Sequence, residues 1–171
     1  IAKFKIRWDA QKPQEMKEWD RNAISRVFET LGEKRTEFDE LKTKTTKHAE
    51  NCEQFQMSPP KFNELEGLEE DIDMVTGSWN MYKEYLEKLD EMGKQDWIIF
   101  RAKLFELHDF VKAWSTKIKE RSKQGIIDII DEHIDEEISL FKKALPALKF
   151  MRGEPYKDDH WQELFQKLKI K

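Results

Sequence analysis

Between Leu65 and Leu89 eight apolar side chains stand alternately three and four residues apart: Leu65, Leu68, Ile72, Val75, Trp79, Tyr82, Leu86 and Leu89. That spacing places all eight on one stripe of an α-helix, and the stripe needs another helix to cover it. The pattern returns twice. Trp97, Phe100, Leu104, Leu107, Val111, Trp114 and Ile118 form a second seam. Ile98, Ile99, Phe105 and Phe110 add apolar surface on its other faces, so this helix is expected to be the most buried. Ile127, Ile130, Ile134, Ile138, Phe141, Leu145 and Leu148 form a third, with Pro146 predicting a kink near its end. A looser heptad runs from Glu15 to about Gln56 through Ile24, Leu31, Phe38, Thr45 and Cys52, and Pro13 suits its first turn.

The boundaries follow from local chemistry. Ser58-Pro59-Pro60 stops the first long helix. Asn63 with Glu66 reads as a capping box for the next, and Gly93 and Gly125 close helices or reverse the chain. Asp159 with Gln162 caps a short last helix carrying Trp161, Leu164, Phe165 and Leu168 after Gly153 and Pro155. The opening segment, with Phe4, Ile6 and Trp8 in alternation, reads as extended. The fold expected is all-α: an elongated antiparallel helical bundle with a long N-terminal helix and no sheet beyond a short extended N-terminus. Residues 1–60 form an N-terminal segment and long helix, and 61–171 the bundle proper.

Composition narrows the function classes. Gly and Pro number 6 and 5 in 171 residues, about half the usual share, too few for the frequent turns of a sandwich or barrel. Charged residues make up 39%, and no apolar run approaches the roughly 18 residues of a membrane span. A net charge of −4 advertises no surface for nucleic acid or microtubules, both polyanions. A lone Cys52 and the lack of any Asn-x-Ser/Thr acceptor fit a reducing, intracellular compartment. The chain opens at Ile1 without Met and reads as part of something longer.

Motif chemistry is sparse. The one Gly-Lys, Gly93-Lys94, is followed by Gln95 and lacks the upstream glycine of a phosphate-binding loop. The residues three before His48, His108, His133 and His160 are Thr45, Phe105, Ile130 and Lys157, so the Glu-x-x-His pairs of a di-metal bundle are missing. Asp131 to Glu137 is the densest acidic cluster and offers His133 and Glu137 one turn apart to a cation; the plainer reading is a solvated helix face. Asp158, Asp159 and His160 offer a metal or acid–base group; the plainer reading is an acidic helix start that complements the helix dipole, with the histidine packing or hydrogen-bonding locally. Trp79, Trp97 and Trp114 are expected core anchors, whereas Trp8 and Trp19 fall outside the regular pattern and are candidates for docking another segment. Neither a cofactor nor a metal site is expected.

The stretch from Phe141 through Leu145-Pro146-Ala147-Leu148 to Arg152, followed by His160-Trp161, resembles dynein heavy chains at the N-terminal part of the linker. The matching positions are Leu145, Pro146, Leu148, Arg152, His160 and Trp161. Most of that family places Arg before His-Trp, and Asp159 here, with Arg152-Gly153-Glu154 and the opening Ile-Ala-Lys-Phe-Lys-Ile-Arg-Trp-Asp, is more similar to the cytoplasmic dynein-2 type, the intraflagellar transport motor. The resemblance implies a non-catalytic, force-carrying segment, with ATP and Mg bound by AAA+ modules elsewhere in the parent chain. It implies the rest of the heavy chain as partner, together with accessory chains and a second heavy chain. No nucleic acid, membrane or direct microtubule contact is expected. The compartments it implies are the cytoplasm, the cytoskeleton and the cilium. Seams and composition alone fit a spectrin-like or coiled-coil scaffold for protein–protein interaction equally well; an enzyme has no supporting motif.

Overall fold

Asp20, with extended backbone, accepts the Ala23 N–H at 2.6 Å and opens a helix that then runs 34 residues. The computed structural model describes residues 1–152 and 157–169, without the Met151 side chain. Every regular element within them is helical: α1 (Ala2–Gln11), α2 (Arg21–Gln54), α3 (Asn63–Gly93), α4 (Trp97–Phe100), a 3-10 turn (Arg101–Lys103), α5 (Leu104–Lys123), α6 (Ile129–Met151) and α7 (Asp158–Leu168). Gly153, Glu154 and Pro155 of the sequence reading lie outside the described residues. The all-α expectation holds among those described. The chain divides into two compact units, Ile1–Met81 and Tyr82–Lys171, and the division falls inside α3 rather than at the Pro59-Pro60 break.

In the first unit the opening segment is a helix, not a strand. Phe4 and Trp8, four apart, are both buried, while Ile6 between them is 70% exposed, so the period is helical. The Trp8 indole donates to Asp71 of α3 at 2.5 Å, and Lys12 reaches the same carboxylate at 3.2 Å. Arg7 pairs with Glu37 of α2, and the Phe4 ring lies 5.8 Å from that of Phe38. Trp8 therefore docks its own N-terminal helix. Trp19 likewise stacks on Trp79 at 6.0 Å, with Phe28 edge-on to the same ring. Pro13 lies in the irregular connection, not in the first turn of α2, which begins eight residues later. Along α2 and α3, Arg35 pairs with Asp73 and Lys42 with Glu69, so the two run antiparallel. Asn63 is the first residue of α3 itself rather than the cap outside it. Cys52 is buried beside His48.

In the second unit the helix expected from Trp97 to Ile118 is interrupted by the 3-10 turn. Of the residues on its other faces Ile99 and Phe105 are exposed, while Phe100, Leu104, Leu107, Val111, Trp114 and Ile118 along the seam are buried; Ile127, before α6, is exposed. Gly125, at φ +79, makes the reversal that α5 needs. Asp128 caps α6 by accepting from Ile130 and Asp131, and the Asp131 carboxylate returns a bond to the Asp128 N–H. Arg121 bonds to both aspartates, at 2.7 Å to Asp131. Lys142 donates to Ser115 farther along, so α5 and α6 pack antiparallel. The acidic cluster is thus only partly a solvated face, since Asp131 is buried. Helix α7 begins at Asp158, one residue before the expected cap.

Candidate functional site

Arg101 stands on the 3-10 turn between α4 and α5, where the change in helical pitch turns its side chain toward α7. Its Nε donates to the Ile98 carbonyl at 3.2 Å, which fixes the guanidinium from its own backbone. Nη1 donates to the Arg152 carbonyl at 3.1 Å and Nη2 to the Asp158 carboxylate at 3.0 Å. One planar fork thus spans the end of α6 and the start of α7. The guanidinium also lies 5.5 Å from the centre of the Trp161 ring, within cation–π range. Trp161 meets Trp97 edge-to-face at 6.3 Å and Phe165 at 6.1 Å, and is itself buried. The Arg101 side chain is only 16% exposed, whereas its partner Asp158 is 68% exposed and shared with water.

The positions singled out from sequence fall as follows. Trp97, Trp161 and the Arg152 backbone come together around Arg101. Trp97 is half-buried, and Arg152 is exposed. His160 is also exposed and accepts the Lys157 N–H at 3.3 Å, a local bond at the start of α7. Leu145 is buried, Leu148 half-buried, and Pro146 sits exposed inside α6. Lacking an N–H, Pro146 leaves the Lys142 carbonyl without its helical donor. Trp114 is buried in the second unit beside Tyr85, ring centres 5.1 Å apart, and Lys117 lies over its face. Trp79 is buried in the first unit.

A second polar group lies under α6. Tyr82 and Tyr85, one behind the other on α3, are fully buried and face His133 and Glu137. His133 meets Tyr82 edge-on at 5.6 Å and lies 3.8 Å from Glu137. Burial first, and Glu137 second, push both phenols far above the ordinary tyrosine range. Burial holds His133 below the ordinary imidazole range, opposed by Glu137 and Glu136. Among the described residues no group of three or more His, Cys, Asp or Glu is arranged to hold a metal ion, and no helix is long and apolar enough to cross a membrane. Sequence reasoning missed Arg101 and Tyr85. The first has no local pattern; the second follows Met81 and Tyr82 so closely that the strict seam hides it.

Residues 65–171, and so the whole Arg101 junction, match the family described as dynein heavy chain, N-terminal region 2. The chain belongs to the dynein heavy chain family. Across 98% of its length it is 30% identical to mouse cytoplasmic dynein 2 heavy chain 1 and 29% identical to the human protein. The protein of that name from Caenorhabditis elegans is 30% identical over 94% of the chain. The chain spans about 4% of the length of each of these dynein heavy chains. No solved structure matches it significantly. The family match covers every position of the Leu-Pro-x-Leu and His-Trp motifs, and the dynein-2 similarity extends over α1 and α2 as well.

Proposed function

We propose that this segment is a mechanical, non-catalytic part of a dynein-2 heavy chain, coupling an ATP-driven motor ring to the tail and cargo. The observation that carries the reading is the Arg101 fork, which locks α4, α6 and α7 at the dynein motif. Force transmission requires that neighbouring helices keep their register under load. A planar guanidinium with three fixed acceptors and an aromatic face resists sliding better than a single ion pair does. The Trp114–Tyr85 packing supports the same end, because close-packed interiors transmit strain. ATP and Mg act elsewhere in the parent chain, a division of labour that fits the lack of a phosphate-binding loop sequence here. The motor reading places the chain in minus-end-directed microtubule transport, and the dynein-2 similarity favours retrograde intraflagellar transport in the cilium. Its partners are then the remainder of the heavy chain, its accessory chains and a second heavy chain.

The test is Trp114→Ala in the complete heavy chain. Truncating a buried Trp costs about 3–5 kcal/mol, enough to soften the segment. ATP turnover by the ring is expected to change less than twofold, while microtubule gliding velocity drops several-fold. Gliding at the normal rate with a demonstrably loosened segment refutes the force-carrying role.

A further inference from the structure

Helix α2 ends in a closed turn. Gln56 takes the left-handed conformation at φ 56°, and the Met57 N–H returns to the Cys52 carbonyl at 2.8 Å. Helix α3 opens with the Leu65 N–H on the Phe62 carbonyl. Ser58, Pro59, Pro60 and Lys61 hang between these two finished ends, all four exposed. Among the described residues, none of the backbone hydrogen bonds outside the helices involves them. The prolines have no N–H to offer, so the stretch is extended and open.

From this we infer that Ser58 is a phosphorylation site for a proline-directed serine/threonine kinase. A kinase cleft needs its target hydroxyl on an extended segment that can leave the protein surface without breaking bonds. Ser58 satisfies that; the threonines of α2 do not. Thr30, Thr36, Thr43 and Thr46 each donate their hydroxyl to the carbonyl four residues back, inside a long helix. Ser78 and Ser115 are buried. The residue after the target decides the class of kinase. A pocket without an acceptor accepts Pro and strands the N–H of any other residue. Ser58-Pro59 is the one Ser/Thr-Pro pair in the chain. Phe55 and Met57, both exposed just before it, give the cleft apolar grip.

The step balances simply. The Ser58 Oγ attacks the γ-phosphorus of Mg-ATP, the bond from that phosphorus to the bridging β-phosphate oxygen breaks, ADP leaves, and the hydroxyl proton passes to the kinase's base. The added dianion meets Glu50, Glu53, Glu64 and Glu66, with Lys61 the one cation between residues 50 and 66. It is therefore held out in solvent, where a phosphate-reading partner can reach it, and α2 and α3 keep their packing.

The heavy chain isolated from its own proliferating cells with phosphatases inhibited is expected to carry phosphate on Ser58 by site-resolved mass spectrometry. In vitro, a cyclin-dependent kinase with Mg-ATP is expected to modify the folded chain there, with Ser58→Ala silent and Pro59→Ala at least tenfold slower. Unmodified Ser58 in the cellular material overturns the assignment. So does a folded chain that resists the kinase while its urea-unfolded form accepts it, or a Pro59→Ala chain modified at the normal rate.

Discussion

Replacing Arg101 with Lys keeps the positive charge and removes the fork. The wild-type side chain makes hydrogen bonds to the Ile98 and Arg152 carbonyls, an ion pair with Asp158 and a cation–π contact with Trp161. Each neutral-acceptor bond contributes about 0.5–1.5 kcal/mol. Asp158 is 68% exposed, so its pair belongs at the low end of the 0–1 kcal/mol expected for solvated pairs, and the cation–π contact adds about 0.5–1 kcal/mol. A lysine ammonium reaches one of these acceptors at a time, so Arg101→Lys is expected to cost about 1–2 kcal/mol and Arg101→Ala about 2–4 kcal/mol. The loss has an address. Helix α7 has 11 residues, too few to persist in water without docking. Native-state hydrogen exchange is the assay: amides of α7 are expected to exchange at least tenfold faster in Arg101→Lys, while those of α5 keep their protection. Equal protection of α7 in the Lys variant refutes the fork argument. Uniform loss across α5 and α7 shows that Arg101 supports the unit generally rather than the junction.

Three further outcomes are expected. Trp8→Ala removes the buried anchor of α1 and should cost about 3–5 kcal/mol, seen as early exchange of amides 2–11 before the rest of the chain unfolds. Gln56→Gly places the residue that tolerates a left-handed conformation where φ is 56°, and should raise the unfolding free energy by about 0.5–1 kcal/mol, read as a higher denaturant midpoint. His133, edge-on to Tyr82, is held below its ordinary range by burial, despite Glu137 and Glu136. Below about pH 6.5 the unfolded chain takes up a proton that the folded chain resists, so stability falls with acidification by up to about 1.4 kcal/mol per pH unit. Denaturant titrations at pH 7.5 and 5.5 should show a steeper loss for wild type than for His133→Gln.

The seam from Leu65 to Leu89 is legible because each of its residues is at least half-buried, so periodicity and packing agree. The opening segment is not legible. Phe4, Ile6 and Trp8 alternate as a strand would, and only the exposure of Ile6 and a partner 63 positions away reveal a docked helix. Apolar richness also misleads beyond Trp97, where the 3-10 turn rotates Phe105 outward and sets the seam residue Leu104 inward. The motif was visible as a string around Leu145 and Trp161, but its keystone was not. Arg101 bonds to residues 51 and 57 positions ahead, and nothing near it in the chain marks it among many solvated cations. Asp131 hides in the same way, its burial matched by Arg121.

The bond from Trp8 to Asp71 sets a schedule for synthesis. At about 5–20 residues per second a ribosome needs roughly 3–13 s to add the 63 residues between the two. Phe38 and Glu37 of α2 emerge earlier and can already meet Phe4 and Arg7, but throughout that interval the Trp8 indole lacks its acceptor and stays open to any chaperone that patrols emerging polypeptide.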